Sequence, residues 1–317
     1  MQRLTENKIV LVTRETRLEE LKARFNTVNQ ARFYVEQLGG NFSDYEQEDA
    51  VYQFAVDQAK ECISRLGRLQ VVHRKFLTNF MFGKDDIVVA VGQDGLVANT
   101  LKYLDGQVLV GVNPEPGRYD GLLLPFEAGD LAQIIPEIFL RKRPLKSVTM
   151  AQASLNNGQT LYAVNDLFIG PKSHGSARYT IKLGEQKERH SSSGVIVSTG
   201  LGSTGWFTSL ITGANAVAEA FGSQRSRKKA PQMITTPRFE WDAQHLFFTV
   251  REPFPSKTST ASMVFGKITA EQPLMVESLM PERGVIFSDG IEADFLDFNS
   301  GTQAEIKIAE KTGHLVV

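Results

Sequence analysis

Asp94 stands between glycines in Gly92-Gln93-Asp94-Gly95, at the mouth of the apolar run Ile87-Val88-Val89-Ala90. A carboxylate with so little side-chain bulk around it can accept a hydrogen bond from a ligand hydroxyl or act as a general base. Ligand sites of open α/β sheets lie at the carboxyl ends of strands, where glycines let phosphates approach the backbone. Leu96, Leu101 and Leu104 follow near helical spacing, so Asp94 reads equally as a cap at a helix start. The stretch alone leaves both readings open.

A second group lies in GVIVSTGLGSTGW, residues 194–206. Gly200, Gly202 and Gly205 satisfy G-x-G-x-x-G after a strand and before a helix, the fingerprint of dinucleotide binding in hydride-transfer enzymes. That fingerprint needs an enclosing βαβ unit and an acid at the end of the next parallel strand. Here the helix leads to Arg225-Ser226-Arg227-Lys228-Lys229, β-rich sequence lies on both sides, and Glu219 falls inside the helix. The context argues against a hydride-transfer site. Ser198, Thr199, Ser203 and Thr204 among these glycines instead suit a loop that bonds phosphate, ribose or base through N–H groups and hydroxyls. A plain Gly/Ser loop is the alternative. No G-x-x-x-x-G-K-[ST] occurs, which excludes a P-loop kinase on pattern. His73, His174, His190, His245 and His314 show no metal-ligand spacing, and the basic run at 225–229 reads as a solvated loop or an aid to holding an anion.

The elements that must position these residues change character along the chain. Lys8–Val12 reads as a buried strand, and apolar residues from Leu18 to Leu38 trace one helix stopped at Gly39-Gly40. A helix from about Asp49 to Leu66 follows, then strands at 69–72, 87–91 and 108–112. This alternation predicts a parallel, doubly wound sheet. One helix is expected at 129–140, shortened or kinked by Pro136. Beyond Pro144 short strands dominate: 147–155 and 160–169 flank a hairpin at Asn157-Gly158, and others fall at 177–183, 194–199, 246–250, 264–268 and 285–287. A single helix, 206–221, interrupts them. The expected division is an α/β domain over 1–124 and a β-rich domain over 125–317, with the last residues returning to the first.

Composition permits this. The 317 residues suit about two domains. With 42% hydrophobic and 22% charged residues and a net charge of -1, nothing marks a general binder of nucleic acid or anionic membranes. Cys62 is the single cysteine, which excludes an internal disulfide and makes a reducing cytoplasm the expected home. No stretch reaches the roughly 20 apolar residues of a membrane span, and MQRLTENKIV is charged too early for a signal peptide.

Taken together, the chain resembles the NAD kinases, whose superfamily includes diacylglycerol and sphingosine kinases. Gly92-Gln93-Asp94-Gly95 matches that family's Gly-Gly-Asp-Gly loop, and Asn165-Asp166 its Asn-acid pair. Ser193–Trp206 follows its most specific stretch: an acid-Gly pair, three apolar residues, Ser/Ala-Thr, two free positions and Gly-Ser-Thr-Ala-Tyr. Ile234-Thr235-Thr236-Pro237, Arg251-Glu252-Pro253 and Ser288-Asp289-Gly290 resemble later motifs in family order. Gln93 departs from the second glycine, Ser193 from the acid, Gly205 from the alanine and Trp206 from the tyrosine.

The resemblance implies a Rossmann-like α/β domain joined to a β-sandwich-like domain. It implies transfer of the terminal phosphoryl of ATP, with Mg²⁺, to the adenosine-ribose 2′-hydroxyl of NAD, giving NADP. Asp94 would orient or deprotonate that hydroxyl, and the Gly92 to Gly95 backbone would lie against phosphates. Asn165 and Asp166 would contact NAD, and Thr199, Gly202, Ser203 and Thr204 would line the nucleotide pocket. A homo-oligomer is also implied. A related kinase acting on a sugar, nucleoside or lipid hydroxyl, and a non-catalytic NAD-binding sensor, are the alternatives.

Overall fold

The computed structural model describes residues 4–221 and 238–317, so the basic run at 225–229 and the Ile234 to Pro237 motif lie outside the described residues. The chain divides into two compact units, Met1–Lys146 with Gly313–Val317, and Ser147–Thr312. Among the described residues no helix is long and apolar enough to cross a membrane.

In the first unit β1 (Lys8–Thr13) leads to α1 (Arg17–Phe25), α2 (Val28–Gln37) and α3 (Phe42–Leu66). There follow β2 (Arg68–His73), β3 (Ile87–Val91), α4 (Asp94–Leu101), β4 (Val108–Val112) and α5 (Leu131–Phe139). The strands are parallel in the order β2-β1-β3-β4, and His314 and Leu315 of the chain's last strand pair with β4. All five residues of β3 are buried, the signature of a parallel strand covered on both faces. On one face Leu11, Val89 and Val110 pack with Tyr52, Ala59 and Ile63 of α3 and Leu131 and Ile134 of α5. Because α5 belongs to this core, the first unit extends to Lys146, past the 124/125 boundary expected from the sequence. The strand order reverses between β1 and β3, a topological switch point of the kind where α/β sheets bind ligands.

The single helix expected over 18–38 is two helices. Asn26 adopts a left-handed φ of 62° and donates its N–H to the Lys22 carbonyl, ending α1. Thr27 Oγ1 then accepts the Gln30 N–H and opens α2. Asparagine tolerates the left-handed region and threonine caps well, so these local bonds override a continuous apolar stripe. A similar cap, Asn41 Oδ1 on the Ser43 N–H, starts α3 at Phe42 rather than near Asp49.

The second unit holds β5 (Leu145–Leu155), β6 (Thr160–Ala163), β7 (Asp166–Pro171), β8 (Ala177–Leu183), β9 (Gln186–Ser192) and β10 (Val195–Ser198). After α6 (Trp206–Phe221) come β11 (Leu246–Val250), β12 (Phe265–Ile268), β13 (Leu274–Ser278), β14 (Gly284–Ser288), β15 (Ile291–Asp297) and β16 (Gln303–Val316), of which the residues from Gly313 onward belong to the first unit. One antiparallel sheet runs β12-β11-β10-β7-β14-β15. In the other, β16-β13-β8-β9 are antiparallel, and the β5–β6 hairpin joins through β5 beside β16. The two share one core, with Tyr179, Ile181, Val276 and Ile306 from one and Ile169, Val197, Phe248 and Ile286 from the other. The strand expected over 160–169 breaks at Val164-Asn165, so that β6 and β7 lie in different sheets.

The break at Asn26 can be tested directly. Asn26→Ala should cost about 1 kcal/mol in urea denaturation, since alanine lacks the tolerance for left-handed φ, while Asn26→Gly should cost nothing. Equal stability of the two variants would mean the chain does not need the turn.

Candidate functional site

Two loop systems hold the residues singled out in the sequence. In the first unit Asp94 is the first residue of α4, and Gln93 occupies the N-cap position with φ −108° and ψ 164°. That backbone is ordinary extended geometry, and Gln93 is exposed, so replacing the second glycine introduces no strain. Asp94 does not cap its own helix. Its Oδ1 accepts the Leu123 N–H at 2.7 Å and so ties the segment after β4 to the helix start. Its charge also suits the positive end of α4. The Gly92 N–H bonds to the Val112 carbonyl at 3.1 Å, linking the ends of β3 and β4, while Gly95 is exposed.

Behind this loop a polar layer closes the end of β1. Tyr52 Oη accepts the Arg14 N–H at 2.8 Å and donates to the Val91 carbonyl at 3.2 Å. Burial pushes the Tyr52 hydroxyl up to about 12, so it stays a donor. Glu48, 2% exposed, binds Arg14 Nη2 at 2.9 Å and Arg17 Nε at 2.6 Å. Burial opposes the Glu48 charge, but the two arginines outweigh it and hold the carboxyl below its ordinary value.

In the second unit Asp289 organises the site. Its carboxylate accepts N–H bonds from Val164 at 3.1 Å, Asn165 at 2.6 Å and Asp166 at 3.3 Å. Its own N–H returns to the Asp166 carbonyl at 3.0 Å. Asp289 has φ 56°, left-handed geometry that aspartate accepts more readily than most residues. The sequence reading did not count it among the site residues. Its only signal was the Asp-Gly pair.

The loop after β10 packs onto the same turn. Thr199 Oγ1 donates to the Val164 carbonyl at 2.5 Å, and the Thr199 N–H bonds to the Asn165 carbonyl at 3.0 Å. A Cβ on Gly202 would fall 2.0 Å from the Asn165 carbonyl oxygen, so only glycine fits there. Ser203 is buried, and its hydroxyl donates to the Gly200 carbonyl at 2.7 Å. The structure therefore brings Asn165, Asp166, Thr199, Gly202 and Ser203 together, with the Thr199 and Ser203 hydroxyls spent on holding the loop. Thr204 is exposed and Asn165 half-buried, which leaves these two open to a ligand.

Next to this turn, Trp206 stacks on Phe168 with centroids 5.9 Å apart, and the Arg251 guanidinium lies 5.4 Å from the Trp206 ring. Ser193, which stands in place of an acid, donates its hydroxyl to the Glu252 carboxylate. Glu252, at φ 45°, thus returns a carboxylate to the immediate neighbourhood of residue 193. Among the described residues no group of three or more His, Cys, Asp or Glu side chains gathers to hold a metal.

No protein-family model matches the chain, and no curated protein matches it in sequence. Solved structures do match. The chain is similar to an NAD kinase from Archaeoglobus fulgidus in complex with ATP, with TM-score 0.54 and 15% identity over 98% of this chain and 93% of that one. It is also similar to yeast NADH kinase complexed with NADH, with TM-score 0.57 and 15% identity over 99% of this chain and 84% of that one. The chain therefore shares the fold of the NAD kinases, in line with the resemblance drawn from its motifs.

Burial, and then the Asp289 charge, push Asp166 up to about 7. The folded chain thus keeps a proton that the unfolded chain releases near pH 4. This group's stabilising contribution is full below about pH 4 and is lost as pH rises through about 7. Asp166→Asn should remove that fall, measured as urea stability at about pH 5 against about pH 8. A variant with the wild-type difference would mean Asp166 is ionised throughout.

Proposed function

We propose that the chain transfers the terminal phosphoryl group of ATP to the adenosine-ribose 2′-hydroxyl of NAD, giving NADP. The observation that carries this reading is Asp94, a carboxylate fixed at the switch-point end of β3 in a fold shared with NAD and NADH kinases. A ribose hydroxyl is a weak nucleophile, and phosphoryl transfer depends mostly on position and charge neutralisation. A carboxylate has two oxygens and about four acceptor sites. The Leu123 N–H uses one, which fixes the group while capacity remains for the acceptor hydroxyl. Asp94 would take up that hydroxyl's proton as the new P–O bond forms and the bond to the ADP oxygen breaks.

Asn165, Asp166 and Thr204 would contact the dinucleotide in this reading. Thr199, Gly202 and Ser203 would serve it indirectly, by building the turn that presents them. Mg²⁺ would arrive with ATP as the counter-ion of its phosphates. The alternative of a related kinase with another hydroxyl acceptor draws on Ser193, whose carboxylate neighbour is Glu252 rather than its own side chain.

Two measurements test this. Purified protein with NAD, ATP and Mg²⁺ should form NADP, and a panel of sugars, nucleosides and lipids should not compete as acceptors. Asp94→Asn keeps an oxygen for the Leu123 N–H but loses the base. It should lower kcat by about 10²–10⁴ while leaving the KM for NAD within a few-fold. Activity within threefold of wild type would remove Asp94 from the chemistry.

A further inference from the structure

Asp94 is oriented from outside its own helix. The Leu123 N–H that bonds its Oδ1 belongs to the segment between β4 and α5, 29 residues further on. Whatever holds Leu123 in place therefore sets the direction of the carboxylate. Part of the hold is backbone contact with β4. Gly111 has no side chain, and a Cβ there would fall 1.9 Å from the Leu123 carbonyl oxygen, so the segment lies directly on the strand. A parallel bridge between Val112 and Phe126, and a bond from the Asn113 N–H to the Phe126 carbonyl at 2.7 Å, close the segment at its base.

The other part is the Asn113 side chain, 6% exposed and engaged at both ends. Its Nδ2 donates to the Tyr119 carbonyl at 3.0 Å, and its Oδ1 accepts the Glu115 N–H at 3.0 Å. One short amide supplies a donor and an acceptor, as an ionised aspartate cannot, and curls residues 113–119 into a closed turn. Beyond it Gly121 is left-handed, φ 64°, and a Cβ there would fall 2.6 Å from Asn113 Nδ2. The chain thus passes against the amide just before it reaches Leu123. On its outer side the turn meets α3, where Arg118 Nη2 lies 2.6 Å from Asp44 Oδ1. That pair is partly exposed and worth little on its own, which leaves the buried amide as the principal hold.

We infer that Asn113 is a positioning residue for Asp94. Its amide holds the turn that presents the Leu123 N–H to the carboxylate, and so fixes where the remaining oxygen points. Its part in the reaction rests on the kinase reading, in which that oxygen receives the proton of the acceptor hydroxyl. A displacement of about 1 Å in such a group can cost about 10²-fold in rate.

Steady-state kinetics and hydrogen exchange test this together. Asn113→Ala should lower kcat at least tenfold, with the KM values for NAD and ATP within threefold. It should speed exchange of the Leu123 amide at least tenfold, while the Gly92 amide, bonded to Val112, keeps its protection. In an Asp94→Asn background the same substitution should change kcat less than twofold, because the carboxylate it positions is already gone. Asn26→Ala, which destabilises the same unit at another turn, should leave kcat unchanged. Gly121→Ala pushes on the amide from the other side and takes the place of Asn113→Ala if that variant does not fold. Wild-type kcat in a folded variant, an equal loss in the Asp94→Asn background, a matching loss in Asn26→Ala, or unchanged Leu123 exchange would each overturn the inference. No NADP from the wild type would remove the kinase reading alone, and the positioning of Asp94 would then be judged on the Leu123 amide.

Discussion

The second unit's site depends on one carboxylate. Three consecutive backbone N–H groups, at Val164, Asn165 and Asp166, point into the Asp289 side chain. The chain is leaving β6 for β7 in a different sheet, so at this turn it has no ladder partner for those donors. Backbone donors buried without partners are too costly to persist, and a carboxylate satisfies several at once. With the turn held, the Asn165 carbonyl becomes a fixed acceptor for Thr199, and Gly202 can close over it. The loop after β10 is thus shaped by a residue 90 positions further on, since 289 less 199 is 90.

The same carboxylate raises the cost of ionising its neighbour. Asp166 begins β7 opposite Ser198, buried and beside the Asp289 charge. A carboxyl group in that position near neutral pH can donate a hydrogen bond as well as accept one. The charge of this turn therefore changes with pH through Asp166 while the Asp289 carboxylate stays engaged by backbone N–H groups.

Much of this was legible in the sequence, and the failures have identifiable causes. The continuous apolar run at 87–91 and the Asn-Gly pair at 157–158 announced β3 and the β5–β6 hairpin, because burial on both faces and left-handed turn geometry each restrict residue type. β9 was missed because its run, QKERHSS, is polar, with only His190 and Ser192 turned inward. Asp94, Asn165 and Thr199 were visible through their motifs. Asp289's three backbone bonds, the Leu123 N–H on Asp94 and Glu252's place beside Ser193 were not, since each depends on segments far apart in sequence. Nor could sequence show that the Thr199 and Ser203 hydroxyls turn inward to carbonyls. A Ser/Thr-rich loop looks the same whether its hydroxyls face a ligand or its own backbone.

The departures from the NAD kinase pattern gain a physical account from these contacts. Gln93 sits in extended geometry with its side chain exposed, so the missing glycine takes no necessary freedom from the loop. Ser193 has lost a carboxylate of its own, but its hydroxyl bonds to Glu252, held in place by backbone pairing between Arg251 and both Ser193 and Gly194. Trp206 offers a larger ring than tyrosine, stacks on Phe168 and has the Arg251 guanidinium close to its ring. Arg251 and Glu252 are adjacent, so one short segment supports both altered positions, 193 and 206. A change at residue 193 alone would strand Glu252 in a left-handed conformation with its local partner gone. The substitutions therefore belong to one rearranged corner of the second unit, and its shape there is set by the 251–252 segment.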